Sequence, residues 1–425
     1  MSRYLKLNVL GAGKEVGRSS LLLDFGEKVL LDRGVKLSPE GAEYPLPVKE
    51  NLDAIVISHG HMDHSGDLPK LFLRSHAMTY LTKATMDISK MLWFDSLKIA
   101  GLEGFDAGFS KDDIARAERY SFQLPYKKHV NITRDTSLEF HDAGHIVGAA
   151  LCKLFLPNGK NVLYTGDFNY IDTRLHNKAD LKVGKVDVLI SEATYGNREH
   201  PPRKEVEQEF VESVEEVLSK GGHAIISAFA VGRSQEIVDV LVEHKIDAPI
   251  YLDGMCQKAA SIMLQHPDML ANPKALKRAL QKVNWVKKPN VRKEALKEPA
   301  VVVTTSGMLQ GGPVQYYLRH LYKDEKSKLF LTGFQVKDTP GRQLLDSGKM
   351  FLEGHEVNVK MQVEKFDFSA HCDHAGLRKA IAKIDPARIV LVHGDAEIVD
   401  QFRQELHAEG FKVDSPKNGE TLDLL

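Results

Sequence analysis

The sequence predicts an α/β protein in which one α/β unit is inserted into another, and three observations carry that expectation. Short apolar runs that close on acidic or histidine side chains fill the first 195 residues. From about residue 200 a regular strand–helix alternation replaces them. After residue 365 the chain returns to strand ends bearing histidines, FDFSAHCDH and RIVLVHGD, so the last strands of the first unit come only after the second. The expected division is 1–198, 199–364 and 365–425.

In the first part, SLLLDFG, KVLLDRG, DAIVISHG, MTYLTK, SLEFHDAG, ALCKLFL, NVLYTGD and DVLISEA read as strands. Several end at polar residues, among them Asp32, His59, Asp167 and Glu192, which suggests one site on one edge of a sheet. LGAGKEVGRSS, just before SLLLDFG, reads as a tight hairpin between the first two strands. It fails Walker A because Glu15 follows Lys14, and it fails the dinucleotide fingerprint because Gly17 comes one residue late, so no nucleotide cofactor is implied.

In the second part, EVEQEFVESVEEVLSKGG puts Val206, Phe210, Val214, Val217 and Leu218 on one helical face, and Gly221–Gly222 stops the helix. HAIISAF, SQEIVDVLVEHK, PIYLDG and KAASIMLQH then alternate strand and helix, which predicts a parallel sheet covered on both faces. AVVVTTSG, LYKDEKSKLFLTGFQ and a strand near 355–365 complete the unit.

Composition bounds the function. With 57 Lys and Arg against 58 Asp and Glu, the net charge is −1, so an anionic substrate must be held by local charge or bound cations. Three scattered cysteines, Cys152, Cys256 and Cys372, argue against a disulfide framework and against thiolate zinc sites. The N-terminal apolar run is broken by Lys6 and Gly11, unlike a signal peptide, and no apolar run is long enough to span a membrane. A cytoplasmic protein is the expectation.

SHGHMDHS, residues 58–65, is the densest chemical signal. His59 and His61 are two apart, so an extended segment points both the same way, and Asp63 and His64 lie on the following bend, before a helix expected near Asp67. The loop offers His/His to one cation and Asp/His to another, and each needs further ligands. His145 in HDAGHIVGA, Asp167 in LYTGDF and His393 in IVLVHGD are strand-end candidates. Such mixed N/O donors suit Zn2+ best and Mn2+ less well.

Asp32, HGHMDH, AGHIVG, TGD, SEATYG, FSAHCDH and LVHGD stand in the order of known motifs. The chain resembles the metallo-β-lactamase fold in its nucleic-acid-processing β-CASP branch, along essentially its whole length. The likeness is closest to the cleavage and polyadenylation specificity factor type of ribonuclease, in a short form without KH domains related to RNase J. EATYG, AFAVGRSQE and SGMLQGGP add to it. The resemblance implies an αββα sandwich with an inserted parallel α/β β-CASP domain. It implies two Zn2+, one on His59, His61 and His145, the other on Asp63, His64 and His393, with Asp167 bridging. Asp32 would orient a ligand histidine. Glu192 and His371 match the acidic and histidine motifs near the scissile phosphate, and Asp63, Glu192 and His371 are the expected catalytic residues.

The activity so implied is hydrolysis of RNA phosphodiester bonds, leaving a 5′-phosphate and a 3′-hydroxyl. Competing readings are a DNA nuclease of the same branch, a thioester or lactam hydrolase, and a non-catalytic RNA-binding subunit; the complete ligand set weighs against the last. Arg233, Ser306 and Ser369 are candidate substrate contacts, Ser306 because the glycine-rich turn of TTSGMLQGGP can form an anion nest. Arg233 reads equally as an ion-pair partner. Residues 274–298, with nine Lys and Arg and Trp285, suit RNA but read more simply as a solvated helix face. Expected partners are single-stranded RNA, an RNA-processing complex and, through the stretch after His393, a second copy of the chain.

Overall fold

The computed structural model describes residues 4–425 except 39, 40, 74 and 337. It contains two compact units. The first comprises residues up to 172, 177–199 and 370–425, and the second comprises 173–176 and 200–369.

The first unit holds two seven-stranded sheets. One runs, in spatial order, through strands Thr421–Asp423, Lys6–Gly11, Ser20–Asp24, Lys28–Leu31, Ala54–Val56, Met78–Leu81 and Ser121–Gln123. The other runs through Val413–Asp414, Arg388–Val392, Val188–Glu192, Asn161–Tyr164, Ala150–Phe155, Ser137–Asp142 and Val130–Asn131. Their facing side chains form one dry core, with Leu7, Leu23 and Leu31 from the first sheet against Phe140, Leu154 and Ile190 from the second. The back of the first sheet, including Leu30 and Ile55, packs on Met86, Trp93 and Ile114 of helices Lys83–Glu103 and Lys111–Arg119. Helix Ala396–Ala408 packs on strand Arg388–Val392 of the second sheet. These layers make the αββα sandwich.

Strands Val188–Glu192 and Arg388–Val392 are parallel neighbours, Glu192 opposite Val392, although residues 200–369 of the inserted unit lie between them in sequence. A register fixed on both sides of an insertion is what returns His393 to the edge where Glu192 ends.

The inserted unit is a six-stranded sheet in the order Asn284–Trp285, Ile250–Asp253, Val301–Thr304, Ala224–Ser227, Lys328–Leu331, Gln362–Lys365, parallel throughout. Ile225, Val302 and Leu329 pack on Val314, Tyr317 and Leu318 on one face. On the other, Phe210 of helix Arg203–Ser219 meets Phe330, Phe366 and Phe368 edge-on at 5.3–5.5 Å between centroids. That contact keeps residues 366–369 with the inserted unit, so the division falls after Ser369 rather than at the expected 364/365.

Three local expectations differ from the structure. LGAGKEVGRSS is not a tight hairpin, because its strands end at Gly11 and restart at Ser20 and the backbone between is left-handed at Ala12, Lys14, Gly17 and Arg18. Met62–Ser65 is a short helical turn, so Asp63 and His64 lie on a helix rather than a bend. The strand expected near 355–365 is a hairpin, Lys349–Leu352 with His355–Asn358, followed by the sheet strand Gln362–Lys365. Among the described residues, no helix is long and apolar enough to cross a membrane.

Phe210 is fully buried where three rings converge. Phe210→Ala should therefore destabilise the inserted unit by about 3–5 kcal/mol, the usual cost of removing a core aromatic. Chemical denaturation followed by a probe within residues 200–369 measures it, and a loss below about 1 kcal/mol would contradict this packing.

Candidate metal centre

The polar residues gather where parallel strands end. Asp32 follows Lys28–Leu31, His59 follows Ala54–Val56, Asp167 follows Asn161–Tyr164, Glu192 ends its strand, and His393 follows Arg388–Val392. The carboxyl edge of parallel strands is where loops converge and α/β proteins place their sites. His145 comes from the loop between Ser137–Asp142 and Ala150–Phe155. Gly166, left-handed at φ +52, brings the chain so close that a Cβ would lie 2.5 Å from Ser58 Cβ.

Two donor groups result, each with ligand atoms within 4.8 Å of one another. The first is His59, His61, His145 and Asp167; the second is Asp63, His64, Asp167 and His393. In the first, His61 Nδ1 is 3.2 Å from both His59 Nε2 and His145 Nε2. Two nitrogens on a tetrahedral Zn2+ stand about 3.3 Å apart. In the second, His64 Nε2 is 3.3 Å from Asp167 Oδ1, and His393 Nε2 is 3.4 Å from Asp63 Oδ2. Asp167 Oδ1 and His393 Nε2 are buried without a hydrogen-bond partner. A buried acceptor left so costs about 1–3 kcal/mol, and a cation satisfies it. The residues fit a divalent metal.

The surrounding shell fixes the imidazoles. His64 Nδ1 is 2.7 Å from Asp32 Oδ2, so its proton goes to Asp32 and Nε2 faces the site. Asp32 is held in turn by the Ser58 N–H, the Ser58 hydroxyl and the Tyr164 hydroxyl, each at 2.7 Å. His145 Nδ1 donates to the Ala370 carbonyl at 2.8 Å, leaving Nε2 for the centre. A third cluster joins Asp167, Glu192 and His371. Glu192 accepts the Phe168 N–H at 2.9 Å and the Thr194 hydroxyl at 2.6 Å, and both of its oxygens face His371 Nδ1, at 3.0 and 2.9 Å.

Burial divides the histidines. It pushes His59 and His145 well below the ordinary value, and His61 down to about 4, so these rings are neutral donors at pH 7. Burial would also lower His64, but Asp167 and Asp63 outweigh it and raise this ring well above 6.5. His371 rises to about 9, because Glu192 and Asp167 together overcome its desolvation.

The substrate-contact candidates lie in the inserted unit. Ser306 follows strand Val301–Thr304, and its carbonyl accepts the Ser227 hydroxyl at 2.6 Å. Arg233 begins helix Arg233–Glu243, buried and ion-paired with Glu236. The Ser369 carbonyl accepts from Arg203 at 3.0 Å. On helix Pro273–Gln281, Leu276 and Leu280 turn inward while Lys274, Lys277 and Arg278 are exposed. Arg292 instead clamps Asp253 at 2.6 and 3.0 Å, and the Trp285 indole N–H donates to the Leu280 carbonyl.

Sequence reading passed over Ser58, Tyr164, Thr194 and the Ala370 carbonyl. Ser58 and Thr194 stand one and two residues from His59 and Glu192, a spacing that could have flagged them. Tyr164 carried no such signal, because its ring lies in the core between the sheets and only its hydroxyl reaches Asp32.

Comparison with known proteins places these features. Residues 235–344 match the Beta-Casp domain, 356–416 the Zn-dependent metallo-hydrolase RNA specificity domain, and 5–201 the family of the anti-Pycsar protein Apyc1. A Methanocaldococcus jannaschii protein named probable RNase MJ4 is 40% identical, over 97% of this chain and 99% of its own. RNase aCSPSF2 of Saccharolobus solfataricus is 34% identical over 100% of this chain and 86% of its own. Transcription termination factor FttA of Pyrococcus abyssi is 33% identical over 100% of this chain and 72% of its own. A crystal structure of an Enterococcus faecalis protein of unknown function superposes with a TM-score of 0.61 at 15% identity, covering 99% of this chain and 100% of that one, a likeness of fold.

The split in histidine protonation gives the two donor groups different pH dependence. A raised His64 is protonated before a cation binds and must release that proton, whereas His59, His61 and His145 have none to lose near neutrality. Calorimetric Zn2+ titration in buffers of different ionisation enthalpy should show proton release for one binding event only. The affinity of that event should rise with pH near neutrality, because a raised His64 holds a proton that the cation must displace. Two events with equal proton release would contradict the assignment.

Proposed function

We propose, because the chain belongs to the β-CASP branch of the metallo-β-lactamase fold family, that it is a Zn2+-dependent ribonuclease hydrolysing phosphodiester bonds of single-stranded RNA. The observation that carries this reading is the sharing of Asp167 by two donor groups with the Glu192–His371 pair beside them. Two cations are assigned, one to His59, His61 and His145, the other to Asp63, His64 and His393, with Asp167 common to both. When bound, such a pair supplies Lewis acidity toward the phosphate and an activated water.

The chain's own residues do the rest. Asp63, the more exposed of the two carboxylates, is held ionised: burial would raise it, but His64 and His393 keep it well below the usual carboxylate range. Ionised, it orients the attacking water or accepts its proton. His371 is protonated at neutral pH, and with Nδ1 on Glu192 its Nε2–H is directed to the leaving 3′-oxygen. Glu192, already anchored by Phe168 and Thr194, holds the ring in that orientation. The products are a 5′-phosphate and a 3′-hydroxyl. Ser306, Ser369 and Arg233 are assigned to the RNA-binding side, with Arg233 acting through its ion pair. RNA is favoured over DNA by the RNase names of relatives and by the RNA specificity domain matched at 356–416. A cytoplasmic setting agrees with three buried, unpaired thiols.

Metal-loaded protein incubated with labelled single-stranded RNA, single-stranded DNA and circular RNA should cleave RNA in preference to DNA, and a chelator should abolish cleavage. Cut circles identify an endonuclease. A protein holding both metals that leaves all RNA intact would sink the proposal.

The pH profile tests His371 separately. Turnover should fall as pH rises and His371 loses its proton, at or below about 9 because nearby cations favour the neutral ring. Glu192→Gln removes the charge that raises His371 and should move this limb to lower pH. His371→Ala should remove the limb and lower kcat by about 10²–10⁴ with metal content unchanged. Wild-type turnover in His371→Ala refutes the role.

A further inference from the structure

The segment between Gly11 and Ser20 makes more bonds than joining two strands requires. The Ser19 N–H donates to the Asp63 carbonyl at 2.8 Å, and Ser19 Oγ lies 3.4 Å from His64 Nε2. The Ala12 carbonyl accepts the His393 N–H at 2.8 Å, and the Glu15 carbonyl accepts the Gly394 N–H at 3.2 Å. One short loop thus touches Asp63, His64 and His393, three of the four residues of the second donor group. Among the described residues, it makes no hydrogen bond to His59, His61 or His145.

The loop is not self-supporting. Ala12, Lys14 and Arg18 have φ of 63°, 56° and 40°, and His393, which it holds, has φ 49°. Side chains disfavour this left-handed region, so it persists only where surrounding bonds over-determine it. The Glu15 carboxylate provides four of them. It accepts from Arg18 Nε at 2.6 Å and Nη2 at 3.3 Å, from Lys36 Nζ at 3.1 Å and from Asn418 Nδ2 at 2.5 Å. Asn418 in turn accepts the Gly13 N–H at 2.7 Å. Gly13 must be glycine for this approach, since a Cβ there would lie 2.6 Å from the Asn418 nitrogen. Lys14 adds a second anchor, reaching both Asp400 oxygens at 2.7 and 2.8 Å. Glu15 itself is only partly exposed, and without it Arg18 keeps the Tyr44 carbonyl at 3.1 Å and Lys36 keeps Glu43 at 3.7 Å, but neither is any longer joined to Asn418 across the loop.

We propose that Glu15 is a positioning residue for one metal position. It holds segment 12–19 in the shape that fixes the backbone of Asp63 and His393, so the cation on Asp63, His64, Asp167 and His393 depends on it and the cation on the three histidines does not. This rests on the two-cation reading above. Residues one step removed from metal ligands commonly change affinity by about 10–100-fold, and Glu15 should do so at one position only.

Co2+ titration of metal-free protein, followed by visible absorption and by equilibrium dialysis, separates the alternatives. Wild type should take up two equivalents. In Glu15→Ala one equivalent should bind as in wild type and the other about 10–100-fold more weakly. Glu15→Gln, which keeps an acceptor for Arg18 or Asn418, should fall between. Circular dichroism of the metal-free proteins checks folding. If Glu15→Ala does not fold, Asn418→Ala, which removes the tie between Glu15 and Gly13, should weaken the same equivalent. Folded variants that bind both equivalents as wild type does, or lose both equally, overturn the proposal. Wild type that takes up a single equivalent overturns the two-cation reading and this inference with it.

Discussion

A buried negative charge organises this molecule. Asp167 is almost wholly removed from solvent, with His59, His64, His145 and His393 at 3.3–3.8 Å and His371 at 4.0 Å. Burial alone would neutralise such a carboxyl, yet His393, His64 and His371 hold it well below its usual range. An ionised carboxylate in a dry core demands positive charge around it, and five rings from four separated stretches of chain converge to meet that demand. In the unbound state His64 and His371, both raised above the ordinary imidazole value, supply it with protons; a divalent cation can take the place of the His64 proton, so metal binding and proton release are linked there.

That convergence imposes a constraint on topology. The donor residues His59, Asp167 and His393, with Asp32 behind His64, follow the carboxyl ends of strands in two different sheets, so the sandwich must register its layers closely enough to bring Asp32 and His59 of one sheet to Asp167 and His393 of the other. Tyr164 shows how this is done: its ring fills the core between the layers and its hydroxyl bonds Asp32 across them. Packing and site geometry are therefore the same interaction at this point. An insertion of a whole α/β unit between Glu192 and His393 is tolerated because their strands pair directly, whatever the chain does between Glu199 and Ala370.

Much of this was legible in the sequence because strand ends are chemically marked. An apolar run closing on His59, Asp167 or His393 states both that a strand ends and that its last side chain has no business in the core. The parallel inserted sheet was legible for the same reason, through alternation of apolar strands with amphipathic helices such as that carrying Phe210. Interactions made by backbone atoms were not: the Ala370 carbonyl that orients His145 and the Ala12 carbonyl that holds His393 are invisible to side-chain pattern. Nor was the helical turn at Met62–Ser65, because four residues are too few to show a period.

The loop at 12–19 shows what such omissions conceal. Its glycines looked like hairpin punctuation because glycine's usual service is to free a backbone, and nothing in LGAGKEVGRSS reveals what that backbone will meet. In the structure the freedom is used for approach: Gly13 lies against residues 417–418, and Glu15 gathers Arg18, Lys36 and Asn418 around one carboxylate. The result ties the first strands, His393 after strand Arg388–Val392 and the C-terminal segment to the same edge of the centre. The donor group of Asp63, His64, Asp167 and His393 thus leans on a left-handed loop with its own half-buried ion cluster, whereas among the described residues that loop makes no hydrogen bond to His59, His61 or His145. Two chemically similar donor groups need not share one physical support, and the bonds of this loop reach residues of only one of them.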